Sequence, residues 1–151
     1  MKAWHVVLIS LFLTCGICGG VGYYALRGTV ASVQNLDREG KASASAALPA
    51  VLKSWSWDAL AKRSDPALIG DGLGPKAAFG AYAEQFGSLK SLGEPTMVGF
   101  HSYSGTDGRR DVVELSYPAE FERSAGATVR VRLVRDEAKV WKFLQLDFGK
   151  P

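Results

Sequence analysis

Cysteine and histidine are scarce in this 151-residue chain, with two of each. Both cysteines, Cys15 and Cys18, fall in an apolar N-terminal stretch, so the rest of the chain holds no thiol and no disulfide framework. Their Cys-x-x-Cys spacing has no His, Asp or third Cys nearby, which favours two small apolar-helix residues over a metal or redox pair. One histidine, His101, remains in the globular part, too few for a His-rich metal site. Gly-x-Ser-x-Gly, phosphate-loop and dinucleotide fingerprints are all missing. No catalytic residue, cofactor or metal site is therefore expected. A basic footprint is missing too. The formal charge is +3, but Lys2 and Arg27 supply two of those charges, and residues 48–151 carry 14 Lys and Arg against 13 Asp and Glu. That balance argues against nucleic acid, which needs clustered positive charge.

What the chain does have is a long uncharged run. Residues 4–26 contain no Lys, Arg, Asp or Glu; as a helix they extend about 34 Å, enough to cross a bilayer. Trp4 at one end and Tyr23-Tyr24 at the other suit the two headgroup layers. With so short an N-terminus, the expected orientation leaves the following domain outside a bacterial inner membrane, in the periplasm. Three readings compete: an uncut anchor, a cleaved secretory signal and a lipoprotein signal. The apolar character runs past the length of a removable signal core, which favours the anchor, while glycines after Leu13 suit a peptidase. The residues before Cys15 and Cys18 fit a lipoprotein signal poorly. Gly16 and Gly20 form a Gly-x-x-x-Gly face on which two membrane helices can meet, including two copies of this one.

Residues 28–47, rich in Ala and Ser, read as a linker between this segment and a domain over 48–151. Leu48, Val51, Leu52, Trp55 and Ala59 share a helical face from 48 to 64, with Trp57 opposite, so the helix breaks near Ser56 or Trp57 packs elsewhere. Asp65-Pro66 starts a short turn to Ile69. Phe79, Tyr82, Ala83, Phe86 and Leu89 recur at helical spacing over 75–92, and Gly93-Glu94-Pro95 ends that helix. From Thr96 the period becomes two, predicting strands over 96–104, 111–122, 127–135 and 139–148 with hairpin-length connections. The expected fold is α+β, with two or three helices on a curled four-stranded antiparallel sheet.

Alternation assigns Val98, Phe100, Val113, Leu115, Tyr117, Ala119, Phe121, Val129, Val131 and Leu133 to the core face. His101, Tyr103 and Glu114 share the other face. If the first hairpin is symmetric about Asp107-Gly108, His101 lies opposite Glu114, giving a polar trio better suited to stabilising the sheet than to acid-base work. Glu120 and Glu122 are expected opposite Arg130, with Arg132 beyond. The last strand has large apolar residues at both parities. If Leu144 and Leu146 face the helices, Trp141 and Phe143 join Arg130 and Arg132 in a surface suited to a protein partner; a bulge reverses the assignment.

Leu92-Gly93 before the sheet, the run Thr128-Val-Arg-Val-Arg-Leu and the closing Val140-Trp141-Lys142-Phe143 resemble the cystatin-like or nuclear-transport-factor-2-like α+β fold over residues 48–151. The resemblance implies a small tethered periplasmic domain and transfers no active residue, because similar folds serve enzymes, ligand pockets and secretion-machine assembly alike. The expected role is a non-enzymatic protein-binding or assembly domain of an envelope complex. The alternative is a small-ligand pocket or isomerase-like enzyme between helices and sheet, with Tyr82, Tyr117 and Asp147 as the residues to inspect.

Overall fold

The computed structural model describes residues 32–70, 72–105 and 108–149. The chain forms two compact units, Met1–Leu36 and Asp37–Pro151. Of the first, residues 32–36 are described and are helical. The anchor expected over 4–26, including Gly16 and Gly20, lies outside the described residues. Among the described residues no helix is long and apolar enough to cross a membrane.

The second unit is α+β. Its helices are α1 over 37–54, α2 (Trp57–Ala61), α3 (Pro66–Ile69) and α4 (Leu73–Phe86). Its five strands are β1 (Leu89–Leu92), β2 (Thr96–Gly105), β3 (Gly108–Phe121), β4 (Ala127–Arg135) and β5 (Trp141–Gly149), all pairing antiparallel. β3 is central. β1 pairs with its Ala119–Phe121 end and β2 with its Gly108–Ser116 portion, both on one side, while β4 and then β5 follow on the other. The sheet therefore has five strands in four positions. The extra strand arises because α4 stops at Phe86, where Gly87 takes φ +70° and its N–H caps the Ala83 carbonyl, so the chain is already extended by Leu89. Gly93-Glu94-Pro95 then separates β1 from β2.

The segment expected as a linker is helical from residue 32, and from Asp37 it belongs to the second unit. Its inward face is built from small residues. Ala44 and Ala47 are buried, and at Gly40 an added Cβ would lie 2.7 Å from Val113 Cγ2. The helix thus lies close against the sheet, and a larger side chain would hold it off. Contacts run in step along both elements: Gly40 against Val113, Ser45 Oγ at 3.3 Å from the Tyr117 hydroxyl, and Trp55 against Phe121. The helix advances about 22 Å over those fifteen positions and the strand about 26 Å over its eight, so α1 runs alongside β3. Leu48, Val51 and Leu52 press into the face made by Val113, Leu115, Tyr117, Val129, Val131 and Leu133, all almost fully buried. Each such side chain contributes about 1.5–3 kcal/mol by leaving water.

Two bulges alter the expected faces. The pairing shifts between Met97 and Gly99, so Val98 is the unpaired extra residue and is 55% exposed instead of buried. It shifts again between Arg132 and Leu133, which face Gln145 and Phe143, leaving Leu144 as the extra residue. This places Phe143 in the core, 2% exposed, and removes it from the expected partner surface.

Gly40→Ala is expected to lower stability by about 1–2 kcal/mol despite the better helix propensity of alanine, because its methyl overpacks against Val113. Urea unfolding checks this; an unchanged or raised midpoint would show that α1 does not pack closely on β3.

Candidate functional site

The helices after α1 converge on the outer side of β5, and the convergence begins with a turn at Trp55. Trp55 adopts φ +46° directly after the helix, and the Ser56 N–H reaches back to the Val51 carbonyl at 3.2 Å, the usual glycine-ended helix stop with tryptophan in the glycine position. The left-handed backbone costs about 1–2 kcal/mol for a residue with a Cβ. Offsetting it, the indole N–H donates to the Gly87 carbonyl at 2.7 Å, and the ring packs 5.1 Å from Phe79, 5.2 Å from Phe148 and 5.9 Å from Phe121, centroid to centroid.

Beyond this turn the Ser56 hydroxyl accepts the Ala59 N–H to start α2, and the Asp65 carboxylate accepts the Ala67 N–H to start α3, with Pro66 in its first turn. Between these helices the chain is stitched to the sheet. The Asp65 N–H donates to the Phe143 carbonyl and the Phe143 N–H to the Arg63 carbonyl, each at 2.8 Å, forming a parallel bridge at Ser64.

The result is a half-open groove of about 240 Å³ between α2, α3, α4 and β5. Its apolar wall includes Trp57, Phe79, Tyr82 and Leu146, and its polar side holds Gln145 and Asp147. Phe79 is buried, Trp57 and Tyr82 are half-buried, and Asp147 is exposed. The Gln145 amide donates to Asp147 Oδ2 at 2.7 Å. Tyr117, expected near a cavity, is fully buried instead; burial pushes its phenol up from the ordinary value, against the opposing hydrogen bond with Ser45.

Among the other candidate residues, His101 and Tyr103 stack on an exposed strand, 6.3 Å apart and 25° from parallel. Glu114 does not complete a trio with them. The register sets His101 opposite Val112 and Glu114 opposite Gly99, because the hairpin closes on the pair Gly105 and Gly108, one residue away from symmetry about Asp107-Gly108. Glu114 instead bonds Arg132 at 3.0 Å, Arg132 bonds Gln145 at 2.9 Å, and Gln145 leads on to Asp147. Arg132 thus belongs to a hydrogen-bonded row across β3, β4 and β5 that ends at the groove. Arg130 is exposed opposite Ser116 and Asp147, not opposite Glu120 or Glu122 as expected. Glu120 accepts the Ser91 hydroxyl, and Glu122 the Ser88 N–H.

Trp141 lies on the helix side near Gly40 and under the Arg135 guanidinium, 5.5 Å from its ring centroid. It flanks a charged cluster around Asp111, two residues before Val113 on β3, which the sequence pattern does not single out. Asp111, 5% exposed, accepts from Ser102 at 2.8 Å and from Arg109 and Arg135 at 3.1 Å; Arg135 also reaches Glu39 of α1 at 2.8 Å. Burial pushes the Asp111 carboxyl up, but the three side-chain donors together outweigh it and hold the group below the ordinary carboxylate range. The cluster is a tie between α1 and the sheet. Among the described residues there is no group of three or more His, Cys, Asp or Glu able to hold a metal ion.

Comparisons with protein-family models, curated proteins and solved structures find no match to this chain.

A carboxylate whose folded pKa is depressed stabilises the fold above its ordinary value, about 3.9, and that contribution is lost as pH falls through the lower folded value. Asp111→Asn is expected to cost about 1–3 kcal/mol at neutral pH, chiefly by leaving Arg135 with Glu39 as its one remaining ion-pair partner among the described residues, and to flatten the loss of stability below about pH 4. Urea midpoints measured between neutral and acid pH check this; an unchanged acid slope in the variant would remove Asp111 from the account.

Proposed function

We propose that this chain is a membrane-anchored periplasmic domain that binds another protein within a bacterial envelope complex, without catalysis of its own. Residues 4–26 are the anchor in this reading, Gly16 and Gly20 its helix-helix contact, and the fold is of the cystatin-like or nuclear-transport-factor-2-like kind. The single observation that carries the reading is the groove beside β5. It is half-open, aromatic-lined, bordered by one strand edge and one carboxylate, and reached directly from the surface. Aromatic side chains in a partly accessible depression are the usual centre of a protein-protein contact. Arg130 and Arg132 lie on the adjoining face, and Arg132 is connected to the groove through Gln145.

The same groove supports a second reading, a small-ligand or isomerase-like pocket with Asp147 and Tyr82 as its polar groups. Size weighs against it, because about 240 Å³ falls below the roughly 300–1,000 Å³ of small-molecule sites, and one open side leaves a ligand wet.

The test is a photo-cross-linker at Arg130 in the intact chain, expressed in bacterial membranes, beside a version whose residues 4–26 are replaced by an unrelated span. One specific protein adduct that persists in the replacement chain is expected, placing recognition in the domain. Loss of the adduct in the replacement chain would move recognition to the glycine face of the anchor. No adduct in either would overturn the binding reading.

A further inference from the structure

The groove is continuous with a sheet edge that the chain itself has begun to extend. β5 is the last strand of the sheet, and on its outer side Phe143 already pairs through both its N–H and its carbonyl with the segment around Ser64. That segment leaves the sheet at once, because Asp65 caps α3 and Pro66 has no N–H to give. Over Gln145–Gly149, β5 has a single strand neighbour among the described residues, β4. An edge of this kind offers main-chain donors and acceptors that an extended chain satisfies and a helix does not.

The groove lies along this same stretch of β5, with Leu146 and Asp147 in its wall. A cavity of about 150 Å³ suffices for benzene, so a groove of about 240 Å³ takes one large apolar side chain and little more. Trp57, Phe79 and Tyr82 supply the faces against which such a side chain packs. Asp147 is the one charged residue in the groove wall, and only its Oδ2 is engaged by Gln145, which favours a cation over an acid close to the apolar side chain. A backbone edge, a pocket for one side chain and a single negative charge together describe a short extended peptide.

We propose that the partner presents an extended segment that adds to β5 as a strand, with one bulky apolar side chain in the groove and a Lys or Arg directed at Asp147. This inference rests on the protein-binding reading above and names the form of the partner.

The probe is a random peptide display library panned on the intact chain. Enriched sequences are expected to pair one bulky apolar residue with a nearby Lys or Arg, to alter the emission of Trp57, and to slow amide exchange within Gln145–Gly149. Ala78 lines the groove from an exposed position of α4, so Ala78→Phe fills the site without entering the core and is expected to weaken the selected peptides at least about tenfold. Asp147→Lys, also exposed, is expected to turn the enriched charge from basic to acidic. Circular dichroism confirms that both variants are folded. An empty selection overturns the inference, as do peptides that leave β5 exchange unchanged or that tolerate Ala78→Phe. Binding of an apolar dye in the groove with an empty selection assigns the site to small ligands and overturns it as well. If the Arg130 cross-link captures a partner while the selection is empty, the strand-addition inference fails and the protein-binding reading stands.

Discussion

The turn at Trp55 is the constraint on which the rest of the second unit depends. A helix that has run the length of β3 must reverse there, and the residue that reverses it is also the hub of the aromatic cluster. Its ring touches Phe79 of α4, Phe121 of β3 and Phe148 of β5, and its indole N–H ends on the carbonyl of the α4 cap. One side chain therefore fixes α4 relative to β3 and β5 together. The left-handed backbone is a cost of about 1–2 kcal/mol; the half-buried hydrogen bond and three ring contacts, each worth about 0.5–1.5 kcal/mol, together outweigh it. Phe86 and Tyr82 extend the cluster, lying 5.6 and 4.8 Å from Phe148.

The two ends of α1 are held by different physics. Toward its C-terminus the helix is fixed by large apolar side chains, and near its start by Glu39, Arg135 and Asp111. Charged pairs at partly buried positions seldom add much stability, but they reject wrong arrangements, because a shift of α1 would leave Asp111 and Arg135 underpaired. Beside Glu39 the contact is also steric: Gly40 lets the helix backbone come down onto Val113, and Ala44 one turn on is fully buried.

Much of the sheet was legible in the sequence, because alternation over Val113, Leu115, Tyr117, Ala119 and Phe121 has only one burial solution. Legibility failed wherever a single residue was inserted. The extra residue Leu144 resolves the two-way parity of the last strand by turning Phe143 to the core, Val98 leaves the ladder for solvent, and His101 misses Glu114 because the hairpin closes on Gly105 and Gly108 and not about Asp107-Gly108. It failed also in α1, whose buried face through Gly40, Ala44 and Ala47 has too little apolar mass to register as a stripe. The groove could not be read at all, although Tyr82 and Asp147 were marked for inspection. Trp57, Phe79 and Leu146 meet only because Trp55 turns the chain and Ser64 joins β5, and both are long-range events.

The most direct test of this account is nuclear magnetic resonance of the Trp55 indole proton in the intact chain. A hydrogen-bonded proton is predicted, with cross-peaks to the Gly87–Ser88 backbone and exchange with solvent as slow as global unfolding allows. A Trp55 indole proton that exchanges immediately and shows no contact with that backbone would contradict the account, since the turn at Trp55 would then not be tied to the end of α4.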